Sequence, residues 1–213
     1  MADPEEMAAR LRHVYWIGGG SGAGKSTVAR RLADRHGWRL YGTDEAMRDH
    51  AARTTPANAP SLHEFLAMDM DERWVNRSPE VMLDTFHWFR GEGFHLIVED
   101  LLALPREPCV VEGFRLLPHL VRPLLADPDK AVWLLPTPEF RRAAFRSRAA
   151  PGEGFVWKTG DPARAERNLA ERDHLFTMRL QEEAARLGLR TVRVDTSMTE
   201  AALLARVAGA FGL

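Results

Sequence analysis

Residues Gly19 to Ser26 read GGSGAGKS, an unbroken match to the phosphate-binding pattern G-x-x-x-x-G-K-[ST]. They follow the apolar run His13-Val14-Tyr15-Trp16-Ile17, which suits a buried strand, and precede the helix-forming run Val28 to Ala33 with Gly37 as a stop. The chemistry of such a loop is specific. Gly19, Gly20, Gly22 and Gly24, with Ser21 and Ala23 between them, let successive backbone N–H groups curl toward phosphate oxygens. Lys25 reaches the terminal phosphates, and the Ser26 hydroxyl, followed by Thr27, can ligate Mg²⁺. The positive end of the following helix adds to the attraction. A flexible glycine linker is the plain alternative, but it does not require the strand before or the helix after. The dinucleotide pattern G-x-G-x-x-G fails in every register, and Ala23 occupies the last glycine of G-x-S-x-G. Lysine is used only at positions 25, 130 and 158, while arginine serves almost everywhere else. A compact ammonium retained at position 25 suits a phosphate better than a planar fork.

Further candidates lie where strands should end. Asp44, in Tyr41-Gly42-Thr43-Asp44, is placed to accept a proton from an attacking hydroxyl or to hold Mg²⁺ through water; its structural alternative is capping the helix that follows. Glu112, closing Cys109-Val110-Val111-Glu112, has the position of a metal or acceptor carboxylate, against the alternative of a plain salt bridge. The series Arg141, Arg142, Arg146 and Arg148, with Arg164, Arg167 and Arg172 further on, could neutralise charge in phosphoryl transfer, although each alone also reads as a solvated helix face.

These residues need a frame. Apolar runs recur at Val14 to Ile17, Arg39 to Tyr41, Cys109 to Val111, Ala131 to Leu135 and Thr191 to Val194, with helical patterns between them. This alternation predicts an α/β fold with a mainly parallel five-stranded sheet covered by helices on both faces. Helix starts are signalled by Ser78-Pro79, Thr137-Pro138 and Asp161-Pro162, and by the capping-box patterns Ser61-x-x-Glu64 and Ser197-x-x-Glu200. Gly188 stops the helix opened at Pro162, and Trp88, Phe89 and Phe94 read as core. Two segments break the regular scheme: an insert over about 45–77 on the acceptor side, and a glycine-rich stretch over about 149–164 that reads as a lid, or as a merely mobile loop. The chain reads as a single domain over 1–213.

With 213 residues, 45% hydrophobic and 28% charged, the chain can bury an ordinary core. A formal net charge of −1 argues against a nucleic-acid or membrane footprint. Cys109 is the single cysteine, which excludes an internal disulfide, and the acidic start MADPEEMAARLR lacks the features of a secretion signal. A cytoplasmic location is expected. No H-E-x-x-H or C-x-x-C pattern accompanies the eight histidines, which argues against zinc.

On GGGSGAGKST, the aspartate of YGTD, VVEGF and the arginines flanking the glycine-rich segment, the chain resembles the phosphate-loop small-molecule kinases: shikimate, gluconate and nucleoside-monophosphate kinases and the chloramphenicol phosphotransferases. The combination GGGSGAGKST, GTDEAMR and VVEGFRLLP resembles in particular the 2-phosphoglycerate-kinase-like proteins. The resemblance implies the P-loop NTPase fold, ATP with Mg²⁺ as donor, a small-molecule acceptor and a lid after the fourth strand. It also implies that Gly19 to Thr27 hold the triphosphate, Asp44 touches the acceptor hydroxyl, Arg142 or Arg146 is the lid arginine, and Asp195-Thr196-Ser197 lies near adenine. Glu112-Gly113-Phe114 departs from the glycine triplet of the shikimate enzymes. The competing expectation is an ATP-hydrolysing conformational switch without an acceptor; N-K-x-D, the guanine-reading pattern, is absent.

Overall fold

Strand character follows from burial on two faces. In the computed structural model, which describes residues 3–147 and 154–213, β1 (Val14–Gly19), β2 (Arg39–Gly42), β3 (Cys109–Glu112), β4 (Ala131–Pro136) and β5 (Arg190–Val194) form one sheet in the order β2-β3-β1-β4-β5. Every pairing is parallel. Alternate residues serve opposite cores, as the two-residue period of a strand requires. Val14, Trp16, Cys109, Val111, Ala131, Trp133 and Leu135 face one core. Ile17, Val110, Val132, Leu134, Val192 and Val194 face the other.

The helices between them are α1 (Pro4–Arg10), α2 (Lys25–His36), α3 (Met47–Ala52), α4 (Pro60–Ala67), α5 (Met70–Trp74), α6 (Pro79–Thr85), α7 (Phe94–Ala103), α8 (Pro118–Val121), α9 (Pro138–Arg146), α10 (Pro162–Arg186) and α11 (Glu200–Ala210). Residues of α7, α8 and α10 close the first core, with Ile97, Leu101, Val121, Phe176 and Leu180. Residues of α2 and α11 close the second, with Val28, Leu32, Leu203 and Val207. Trp88, Phe89 and Phe94 are buried, as their pattern predicts.

Three helix starts follow the expected chemistry: Ser78, Thr137 and Asp161 accept from the N–H groups of Val81, Phe140 and Arg164 ahead of a first-turn proline. The two capping boxes do not form. At α4 the orphan N–H groups of Ser61 and Leu62 are taken by the distant carboxylate of Glu92, at 3.0 and 2.9 Å. At α11 Thr199, not Ser197, is the cap, and Glu200 turns outward to Arg31. Within the insert α4 and α5 are separate helices, because Asp69 caps a fresh start at α5. Of the expected lid, residues 149–153 lie outside the described residues. The rest is a 3-10 turn over Phe155–Lys158, fastened to the insert by the Gly160 N–H, which donates to Asp71 Oδ1 at 2.6 Å.

Candidate active site

After β1 the chain passes to β2 and β3 on one side; after β3 it crosses back to β4 on the other. Open parallel sheets bind ligands at such a switch point, beyond the carboxyl ends of the strands. The glycine loop occupies that position. Gly19 (φ +131°), Gly22 (φ +77°) and Gly24 (φ +83°) adopt backbone that other residues rarely take, and a Cβ on Gly19 would stand 2.1 Å from the Leu134 carbonyl oxygen. Gly20 is confined differently: a Cβ there would meet Thr177 Oγ1 at 2.6 Å. Its N–H donates to the Leu134 carbonyl, and its own carbonyl accepts from Lys25 Nζ at 2.8 Å. Lys25 is 7% exposed and opens α2, with Ala23 buried beneath the loop and Ser26 on its open side. The result is a rigid cradle that only a glycine-rich sequence can form.

Two carboxylates meet this cradle from β2 and β3. Thr43 N–H donates to the Glu112 carbonyl at 2.9 Å, so the two strand ends stay in register to the last residue. Gly113 (φ +149°) lets them close up, since a Cβ there would sit 1.7 Å from Thr43 Oγ1 and 3.3 Å from Asp44 Oδ1. Glu112 is buried and its Oε2 has no hydrogen-bond partner among the described residues. Burial pushes its pKa up and neighbouring Asp44 adds to that, while Lys25 and the Ser26 hydroxyl favour the charged form. Asp44 is enclosed by protein yet opens to the cleft. The resulting partial desolvation pushes its pKa up, against the attraction of Lys25 and Arg115 and a hydrogen bond from Thr43. The capping alternative for Asp44 has no support in the hydrogen bonds: the Met47 N–H goes to its main-chain oxygen instead.

Behind Asp44 stands Arg115, which the sequence offers only as one of several arginines able to reach an anionic acceptor, each also readable as a surface residue. Arg115 is 2% exposed, donates to the carbonyls of Thr43 (3.3 Å) and Gly93 (3.2 Å), and lies 4.0 Å over the Trp88 ring. Its Nη1 is 2.9 Å from His50 Nδ1. A guanidinium only donates, so Nδ1 accepts and the Nε2–H of His50 donates to Asp100 Oδ2 at 2.7 Å. Tyr41 and Arg53 complete the shell of Asp100, at 2.6 and 2.8 Å. Its signal in the sequence was an arginine directly after EGF, masked by ten or more others of equal appearance.

On the far side of the loop, α9 and α10 bring two arginines to one buried aspartate. Arg141 pairs with Asp173 Oδ2, and Arg172 donates to Asp173 Oδ1 from Nε (3.0 Å) and Nη2 (2.6 Å). Arg141 Cγ lies 3.5 Å from where a Cβ on Gly22 would be, so this is the α9 arginine beside the loop. Arg142 is exposed and paired with Glu139 at 3.1 Å, and Arg146 is exposed near the end of α9. Asp195, Thr196 and Ser197 follow β5 at the same edge of the sheet, where Asp195 Oδ1 accepts from the Ser197 N–H at 2.9 Å. A shallow cleft of about 360 Å³ lined by Arg12, His13, Tyr15, Pro108 and Lys130 lies at the opposite, amino-terminal edge, away from all of these groups.

This is a phosphate-loop α/β fold. No family model matches the chain, and no curated protein does. Among solved structures that match, shikimate kinase from Acinetobacter baumannii, in complex with shikimate, is 14% identical, with 93% of each chain covered and a TM-score of 0.43. At that distance no residue role passes from one chain to the other. Among the described residues no helix is long and apolar enough to cross a membrane.

Residues for a magnesium nucleotide fit by their own chemistry. The cradle admits no side chain at Gly19 or Gly20, and Glu112 leaves a buried oxygen lone among its neighbours. No group of three or more His, Cys, Asp or Glu is placed to hold a metal alone among the described residues. Mg²⁺ bound with phosphates takes only one or two protein ligands.

Proposed function

We propose that the protein is an ATP-dependent phosphotransferase that moves the γ-phosphoryl group to a hydroxyl or phosphate of a small molecule. The observation that carries this reading is the convergence of Lys25, Asp44 and Glu112 on one glycine cradle, with Asp44 open to the cleft and Glu112 holding a buried, unpartnered oxygen. Gly19 to Thr27 would hold the triphosphate, Ser26 and Glu112 would hold Mg²⁺, and Asp195 and Thr196 would border the base. The bound MgATP supplies a transferable phosphoryl group whose charge the metal neutralises. Asp44 accepts the proton of an incoming hydroxyl at its carboxylate and releases it to the cleft. Lys25 and Arg141 offset negative charge on the phosphoryl oxygens as it moves. An acidic partner beside a cation, rather than a cation alone, favours transfer to an acceptor over nucleotide binding alone.

The test is ATP consumption against a panel of hydroxylated metabolites, antibiotics and nucleosides, with MgATP affinity measured in parallel. Lys25→Ala is expected to weaken nucleotide binding and cut turnover by roughly 100-fold or more. Asp44→Asn should lower turnover by roughly 10² to 10⁴ while leaving MgATP affinity within about twofold. Full activity of Asp44→Asn would remove Asp44 from the reaction, and steady hydrolysis that no acceptor accelerates would favour a nucleotide-driven switch.

A further inference from the structure

The acceptor side of the site is unusually rich in positive charge. Arg73, Arg115 and Arg172 all act on the buried His87, and among the described residues the ion pair any of them makes is that of Arg172 with Asp173, which Arg141 beside the phosphate loop shares. Arg73 uses its N–H groups on the carbonyls of Phe65 and Leu66, and Arg115 uses its own on carbonyls and His50. Arg172 is 7% exposed, yet its Nη1 has no hydrogen-bond partner among the described residues. Its guanidinium is ringed by Trp74, Phe86 and Phe89, with centroids 5.5, 5.0 and 5.1 Å away.

A second unpartnered atom lies in the same cluster. His87 is 2% exposed, its Nδ1 has no hydrogen-bond partner among the described residues, and its ring sits 4.6 Å from Phe86 and 5.0 Å from Phe65. Arg115, Arg172 and Arg73 all act on it electrostatically. A buried guanidinium N–H without a partner is complemented by an anion. An aromatic wall around a guanidinium holds the fork in plane, which suits a carboxylate or phosphate taken by two N–H groups.

We propose that the acceptor carries a compact anionic group, a carboxylate or a phosphate, and that Arg172 receives it beside Trp74 and Phe86. This rests on the phosphotransfer reading and narrows it: neutral antibiotics and unphosphorylated nucleosides are not the substrate class. Asp173 then has a defined task. One of its oxygens holds the acceptor-side Arg172, the other holds Arg141 beside the phosphate loop, so the two halves of the site are fastened through a single carboxylate.

The experiment measures binding of malonate and of inorganic phosphate by calorimetry with MgADP and beryllium fluoride saturating, so that the glycine loop and its γ-phosphate position are both filled and cannot report the anion. Wild-type protein is expected to bind at least one of the two, and which one separates a carboxylate acceptor from a phosphate acceptor. Arg172→Met should weaken that binding at least tenfold while MgADP affinity stays within twofold. Arg172→Lys, which keeps the charge but not the fork, should fall between, and it carries the test if the methionine variant does not fold by circular dichroism. Wild-type protein that binds MgADP but neither anion overturns the anionic acceptor and leaves the phosphate loop standing. So does a folded Arg172 variant that binds the anion as wild type does. Failure of wild type to bind MgADP overturns the phosphotransfer reading itself, and this one with it.

Discussion

Gly113 shows how a single backbone position sets the chemistry beside it. Its φ of +149° and the 1.7 Å separation between a Cβ there and Thr43 Oγ1 leave no room for any side chain. Gly113→Ala should therefore cost roughly 2 to 4 kcal/mol, the sum of backbone strain and overpacking. It should also displace Asp44, whose Oδ1 is 3.3 Å from the same point. Chemical denaturation and turnover, measured together, check this; a variant with unchanged midpoint and unchanged rate would show that the strand ends have slack. Sequence reading found Gly113 only as a departure from a glycine triplet, because its necessity comes from Thr43, seventy residues earlier in the chain. Lys25, Asp44 and Glu112 were legible because each follows a recognisable strand or loop. Arg141 and Arg172 were not separable from their neighbours. On a helix surface rich in arginine, type and spacing say nothing about which side chain finds the buried Asp173.

At the scale of elements, the segment before α10 is joined to the insert. The Gly160 N–H donates to Asp71 Oδ1, and the Phe155 ring lies 5.0 Å from Trp74 of α5. Asn168, on α10, reinforces this with donations to the carbonyls of Trp74 and Val75, both at 3.1 Å. The insert and the segment before α10 are thus joined neighbours, not independent loops. Asp71→Ala removes one charge-assisted hydrogen bond, worth about 1.5 to 3 kcal/mol locally. Faster amide exchange at Gly160, with little change in the β-sheet, is the expected result. Unchanged protection of that amide would mean that packing of Phe155 and Asn168 suffices. The failed capping boxes belong at this scale too. Ser61-x-x-Glu64 has the right spacing, but Glu92 reaches the same N–H groups from another part of the chain, and a local pattern cannot register that competitor.

Across the whole molecule, burial of neutral histidine links folding to pH. Burial, followed by the charges of Arg115, Arg172 and Arg73, pushes His87 down to about 3 from a usual 6.5. The unfolded chain takes up a proton near 6.5 that the folded ring refuses, so this contribution to stability is full above that pH and is lost progressively as pH falls toward 3. His50, also pushed down by burial, acts in the same direction. His87→Phe should flatten the fall in unfolding free energy between neutral pH and pH 4, measured by denaturant titration; an unaltered slope would place the acid sensitivity elsewhere. The sequence by itself determined the strands, their parallel association, the glycine cradle and the two carboxylates at strand ends, because those features depend on local periodicity and on backbone that glycine alone adopts. Only the tertiary structure decided which arginines share Asp173, how Arg115 and His50 stand behind Asp44, and what caps α4. Those outcomes arise from side chains far apart in sequence competing for the same few buried polar groups, a competition settled by packing and by no local pattern.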